Sequence, residues 1–167
     1  MREICELTDQ LILGTPGLSH KPPRITARAI VRRRDGLYAV MYAEKWRLYS
    51  LPGGGVEEGE DVLCALRREI WEETGCTCDV IRELGIVREN RASLDDTQIN
   101  HYFVVETAGA SGGMHLTAAE EACRTGVQWH TLEDAVRLIG EQRFDRVQGK
   151  YLRARDVAAL QAYTDMQ

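Results

Sequence analysis

The spacing of hydrophobic and polar positions changes several times along the chain, and each change marks an element. Residues 25–33 (ITARAIVRR) alternate and are partly β-branched, Asp35-Gly36 is a hairpin-type turn, and residues 37–43 (LYAVMYA) read as the returning strand. Residues 46–51 form a short extended segment that delivers the chain to Leu51-Pro52-Gly53-Gly54-Gly55. From Glu60 or Asp61 to Thr74 the period becomes helical, with Leu63, Leu66 and Ile70 as its apolar stripe. Residues 78–89 and 99–107 read as strands joined by a polar loop, and 108–113 as a small-residue loop. Residues 126–129 make the last strand. Thr131 caps a helix over 132–139, with Asp134 at the capping-box position, and a final helix covers about 148–163. Upstream, residues 2–13 suggest an early strand, and 14–23, with three prolines and two glycines, a loop or arm. Strands interleaved with helices predict an α/β sandwich: an arm over 1–23 and a single domain over 24–167.

Composition narrows the function. A length of 167 residues allows one domain with a sizeable core. The formal net charge of −5 argues against a broad basic surface for stable nucleic-acid binding, so a free nucleotide is the easier partner. Apolar runs are short and the first ten residues carry acids, which supports neither a membrane span nor a signal peptide and makes the cytoplasm the expected location. Cys5, Cys64, Cys76, Cys78 and Cys123 form no C-x-x-C pair and read as reduced thiols, and His20, His101, His115 and His130 are scattered.

The chemistry concentrates in residues 54–76, GGVEEGEDVLCALRREIWEETGC. At about 100° per residue, Glu69, Glu72 and Glu73 stand at i, i+3 and i+4 on one helix face, with Arg68 beside them. Two carboxylates about 4 Å apart repel by roughly 4 kcal/mol at an effective dielectric near 20, so three together call for a cation. Oxygen ligands favour hard divalent ions, Mg²⁺ before Mn²⁺, and Mg²⁺ completes its shell with waters and substrate phosphates. An R-E-x-x-E-E cluster alone also suits a solvated helix face. The flanks decide for a site: Leu51 to Gly55, a turn that only a glycine-rich backbone can make, before the helix, and Gly75 where a left-handed C-cap belongs.

These residues resemble the Nudix hydrolase signature, G-x5-E-x7-R-E-U-x-E-E-x-G-U, with U a bulky apolar residue. Gly54, Glu60, Arg68, Glu69, Ile70, Glu72, Glu73 and Gly75 fill it, and Cys76 stands at the last position, where a larger aliphatic residue is usual. The resemblance reaches more loosely over residues 25–139 and implies a MutT-like α/β/α sandwich with a mixed sheet. It implies hydrolysis of a diphosphate linkage in a nucleoside diphosphate derivative. Glu72 and Glu73 become the principal metal ligands, helped by the Gly54 carbonyl, and Glu69 a ligand or the general base. Glu120 and Glu121 occupy the region, read as a loop shortly before the last strand, from which many relatives draw a further ligand or base. Arg68 and Glu60 read as structural support. Arg47, Tyr49 and Tyr102, with Trp46, are candidates for contacts to base and phosphates. Markers of the ADP-ribose, diadenosine polyphosphate and coenzyme A subfamilies are missing, which leaves, by elimination, a (deoxy)nucleoside triphosphate pyrophosphohydrolase. The alternatives are a nucleotide-sugar, ADP-ribose or dinucleoside polyphosphate pyrophosphatase and a non-catalytic nucleotide sensor. The N-terminal segment could pair with a second subunit, as in dimeric relatives.

Overall fold

In the computed structural model, which describes residues 1–108 and 112–167, the alternating segments build one eight-stranded mixed sheet. In chain order the elements are β1 (Glu3–Thr8), α1 (Asp9–Leu13), β2 (Arg24–Arg32), β3 (Tyr38–Ala43), β4 (Leu48–Ser50), β5 (Gly53–Gly55), α2 (Val62–Thr74), β6 (Cys78–Arg91) and β7 (Asp96–Thr107). They continue with α3 (Ala118–Ala122), β8 (Thr125–His130), α4 (Leu132–Gly140) and α5 (Val147–Thr164). The strand order is β1-β6-β7-β2-β3-β4, with β5 added beside β2 and β8 beside β3. β1 runs parallel to β6 and β2 parallel to β7; the remaining pairs are antiparallel.

Alternation along the strands sorts side chains into two cores, one on each face. Ala27, Ala29, Val31, Phe103 and Val105 pack against Ala65, Leu66 and Ile70 of α2. Ile30, Val40, Leu84, Val87, Tyr102 and Val104 meet Ala159, Leu160 and Tyr163 of α5 on the other. Burying Leu66 and Ile70 fully contributes roughly 1.5–3 kcal/mol each. Leu63, placed on the apolar stripe by its spacing, is 39% exposed, and Ala65 takes its place at the contact. Asp61 caps α2 by accepting from the Leu63 and Cys64 amides at 2.9 and 2.8 Å, and Gly75 ends it in the left-handed region at φ 69°.

Four features differ from the sequence reading. The first strand stops at Thr8, whose hydroxyl accepts from the Leu11 amide and starts α1. Gly53–Gly55, read as a turn, is a strand: β2 and β3 share only the Arg32–Tyr38 pair, then separate, and the glycine backbone takes the vacated edge opposite residues 26–28. The loop over 90–98 is mostly strand, interrupted by a 3-10 turn at Ala92–Leu94. Glu120 and Glu121 lie on the short helix α3, started by a Thr117–Glu120 capping box. Residues 109–111 of the expected small-residue loop lie outside the described residues. The N-terminal strand considered for pairing between subunits is an edge strand of this chain's own sheet.

Candidate active site

The helical spacing that groups the three glutamates also aims Arg68 into them. Its guanidinium has five N–H groups, and each finds an acceptor. Nε and Nη2 donate to the two oxygens of Glu60 at 3.0 and 2.9 Å, and Nη2 also donates to the Gly55 carbonyl at 2.9 Å. Nη1 donates to Glu69 at 2.8 Å and to Glu72 at 3.2 Å. Arg68 therefore ties the start of the helix, the glycine strand and two of the clustered carboxylates into one unit, and Glu60 is the residue that holds it there. The bonds that Arg68 donates to Glu60 foremost raise its pKa further. Burial raises the Glu69 carboxyl, and the Arg68 contacts offset only part of that.

Glu73 is not among the partners of Arg68. Its Oε2 accepts from the Gly53 amide at 2.6 Å, and the residue is only 8% exposed. Burial pushes its carboxyl up to about 8; the Gly53 bond works the other way, while Glu69 and Glu120 add to the rise. The glycine run allows this approach. Gly53 sits at φ 126°, where a side chain would be strained, and a Cβ there would strike the Ala27 carbonyl. A Cβ on Gly54 would overlap the Glu69 carboxylate, so the bare backbone at 54 lets that carboxylate rest against the strand.

Two residues with no place in the sequence reading hold the turn from the other face. Arg28 donates through Nη1 to the Gly53 carbonyl at 2.9 Å and leaves its buried Nε unpartnered. Asp156, on α5, accepts from the Leu51 amide at 2.9 Å. The signal for each was a charged residue inside an apolar stretch, Ala27-Arg28-Ala29 and Asp156-Val157-Ala158-Ala159. Nothing in the sequence named the partners.

The structure separates the remaining candidates. Glu120 is half-buried and turns its carboxylate back to the Thr117 amide and hydroxyl at 2.7 Å, yet it is near enough to affect Glu73; Glu121 is exposed. Tyr49 stacks on Tyr42 with centroids 4.6 Å apart, and Gln142 grips its backbone at 2.6 and 2.9 Å. Arg47 is exposed at the end of the 3-10 turn Glu44–Trp46, in the left-handed region at φ 48°. Tyr102 requires correction as a substrate contact. It is fully buried and its hydroxyl donates to Asp156 at 2.5 Å, because position 102 falls on the strand face that α5 covers.

Trp46 is 49% exposed and donates from Nε1 to Cys123 Sγ at 3.1 Å, just past the helix that carries Glu120 and Glu121. With Leu48, Phe144, Arg143 and Arg146 it lines a cleft of about 700 Å³, within the usual range for small-molecule sites. The Arg146 guanidinium lies 5.1 Å from the Trp46 ring centroid.

In this conformation no three Asp, Glu, His or Cys side chains converge on one point among the described residues. The donor set nevertheless fits a hard divalent cation: Glu69, Glu72, Glu73 and the Gly54 backbone offer oxygen only, and Glu69 and Glu73, raised by burial first and by neighbouring carboxylates second, are groups whose charged form such an ion would favour.

Comparison with known proteins bears directly on this arrangement. The model of the NUDIX domain matches residues 22–153, most of the chain. The chain belongs to the Nudix family. This Nudix protein is 28% identical over 134 residues, 78% of its length and 80% of the relative's, to a MutT-like protein of Streptomyces ambofaciens. Over 48 residues, 29% of this chain and 25% of the relative, it is 44% identical to an RNA pyrophosphohydrolase of Bartonella bacilliformis. In fold it is similar to a Nudix hydrolase from Nitrosomonas europaea, with a TM-score of 0.64 at 20% identity, covering 87% of this chain and 90% of the other. It is thus a MutT-like Nudix hydrolase acting on pyrophosphate bonds, in a family that generally uses divalent metal ions. No helix among the described residues is long and apolar enough to cross a membrane.

Proposed function

We propose that this Nudix hydrolase is an Mg²⁺-dependent (deoxy)nucleoside triphosphate pyrophosphohydrolase that releases a nucleoside monophosphate and pyrophosphate, with Mn²⁺ as the alternative ion. The observation that carries the reading is the complete carboxylate set on α2, seated on a glycine strand that is itself pinned under Glu73. Glu72, Glu73, the Gly54 carbonyl and Glu69 would hold the metal, with Glu120 or Glu121 joining from α3. Bound there, the metal neutralises phosphate charge and lowers the pKa of water.

The chain's own groups supply the rest. Glu69 or Glu121 accepts the proton from the attacking water. Arg68, saturated by its five acceptors, keeps Glu60, Glu69 and the Gly55 carbonyl in place and does not clamp the substrate. The base of the nucleotide stacks in the Trp46–Phe144 cleft, with Arg146 in the cleft and the exposed Arg47 next to Trp46 in sequence as the candidates for its phosphates.

A second reading, removal of pyrophosphate from the 5′ end of an RNA, draws on the similarity to the Bartonella RNA pyrophosphohydrolase. Arg143, Arg146 and Lys150 also favour it: they lie along this cleft and its neighbour and make no ion pair among the described residues.

The test is incubation with Mg²⁺ and a panel of nucleoside triphosphates, nucleotide sugars, ADP-ribose, dinucleoside polyphosphates and 5′-triphosphorylated RNA, with products identified by mass spectrometry. Monophosphate and pyrophosphate from free triphosphates are expected. Glu73→Gln should reduce turnover by more than about 100-fold, the upper end for loss of a mere supporting partner, with little change in melting temperature. Preference for RNA would select the second reading, and cleavage only of an X-linked diphosphate would move the enzyme to another subfamily. Binding without cleavage across the panel would make it a sensor.

A further inference from the structure

The C-terminal helix contributes nothing to the carboxylate cluster, yet it reaches the glycine turn through one buried charge. Asp156 is fully buried. Its Oδ2 accepts from the Leu51 amide at 2.9 Å; its Oδ1 accepts from the Tyr102 hydroxyl at 2.5 Å and from Arg155 Nε at 3.3 Å. Leu51 is 2% exposed, so its amide has no access to water and depends on that oxygen.

From Leu51 the restraint passes along three residues. Pro52 has a fixed φ and no N–H, so the Leu51 amide is the nearest upstream donor that can anchor the turn. The Pro52 carbonyl accepts from the Ala29 amide at 3.0 Å. The Gly53 amide donates to Glu73 at 2.6 Å, and the Gly53 carbonyl accepts from Arg28 at 2.9 Å. The Leu51 amide, the Pro52 carbonyl, and the Gly53 amide and carbonyl are therefore each fixed from β2, α2 or α5. Gly53 prefers no conformation of its own, so these bonds set the direction of its amide toward Glu73 and of the following peptide, which carries Gly54.

We propose that Asp156 is a positioning residue for the active site: by holding the Leu51 amide it fixes the glycine turn, and through the Gly53 amide it sets the placement of the Glu73 carboxylate. Arg28 is the second hold on the same turn. α5 is thus part of the catalytic unit as well as of the core.

The test compares Asp156→Ala, Asp156→Asn and Leu160→Ala, the last removing an apolar contact of the same helix and chosen to lower the melting temperature comparably. Two quantities are read: kcat against KM with the best substrate of the panel, and the proton chemical shift of the Gly53 amide, which its short bond to a carboxylate should place downfield. In Asp156→Ala the Gly53 resonance should move upfield and kcat should fall about 10- to 100-fold, the range for removal of an orienting partner, with KM within about twofold. Leu160→Ala should leave both near wild type. Asp156→Asn keeps an oxygen for the Leu51 amide and should recover most of the loss, and it also serves if the alanine variant does not fold. Equal effects in Asp156→Ala and Leu160→Ala would overturn the proposal, as would an asparagine variant no better than the alanine one. The kinetic arm rests on the hydrolase reading above and the Gly53 arm does not, so a wild type inactive on every substrate would leave the spectroscopic comparison decisive.

Discussion

Arg68 shows how much one side chain can organise when all of its donors are used. An ammonium has three donors where the guanidinium has five, and it cannot bond both oxygens of Glu60 while reaching Glu69, Glu72 and the Gly55 carbonyl. Arg68→Lys should therefore destabilise the protein by about 1–3 kcal/mol, since each lost bond is charge-assisted and Arg68 is largely shielded from water. Urea denaturation measures this, and a loss below about 0.5 kcal/mol would place the pair among ordinary surface ion pairs. Arg68 and Glu72, like Glu69 with Glu72 and Glu73, were readable in the sequence because their geometry is local: i, i+3 and i+4 on a helix are neighbours wherever the helix goes. Arg28 and Asp156 were not. Their partners are 25 and 105 residues away, and only the folded sheet brings them together. Tyr102 failed for a related reason, since strand alternation tells which residues share a face without telling which face α5 will cover.

At the scale of elements, the glycine strand β5 separates structural from chemical demands in two adjacent positions. At Gly53 a Cβ meets the backbone of β2 and the φ of 126° is strained for any other residue; at Gly54 the nearest atoms it meets are the far end of the Glu69 side chain, which can move. Gly53→Ala should then cost more than about 2 kcal/mol of stability, combining overlap with strain. Gly54→Ala should cost within about 1 kcal/mol but displace Glu69 and lower kcat by about 10-fold or more. Paired thermal melts and kinetics check this; an alanine at 54 with full activity would show that Glu69 need not rest on the strand. The sequence offered the glycines as a turn because three in a row carry no strand periodicity. β5 is a strand only because β2 and β3 diverge and leave an edge open, which is a property of the sheet and not of the segment.

At the scale of the molecule, the chain's two ends are locked against the same face of the sheet, and a single carboxylate takes part in both. Asp9 in α1 is 2% exposed, accepts from the Tyr151 hydroxyl of α5 at 2.7 Å, and accepts from the Ser93 amide between β6 and β7 at 2.6 Å. Burial alone would raise its carboxyl, but those bonds together hold it below the ordinary carboxylate range. A carboxyl depressed by folding adds stability that is fully present above its unfolded pKa of about 4, and that is lost as the pH falls through the lower folded value. Asp9→Asn should accordingly lower the melting temperature at pH 7, and the gap to wild type should narrow as the pH is brought below about 4. A gap that stays constant with pH would mean that shape, not charge, holds this junction. A pH-dependent gap makes it an ionic clasp that closes β1 and α1 onto α5, the helix that reaches Leu51 through Asp156.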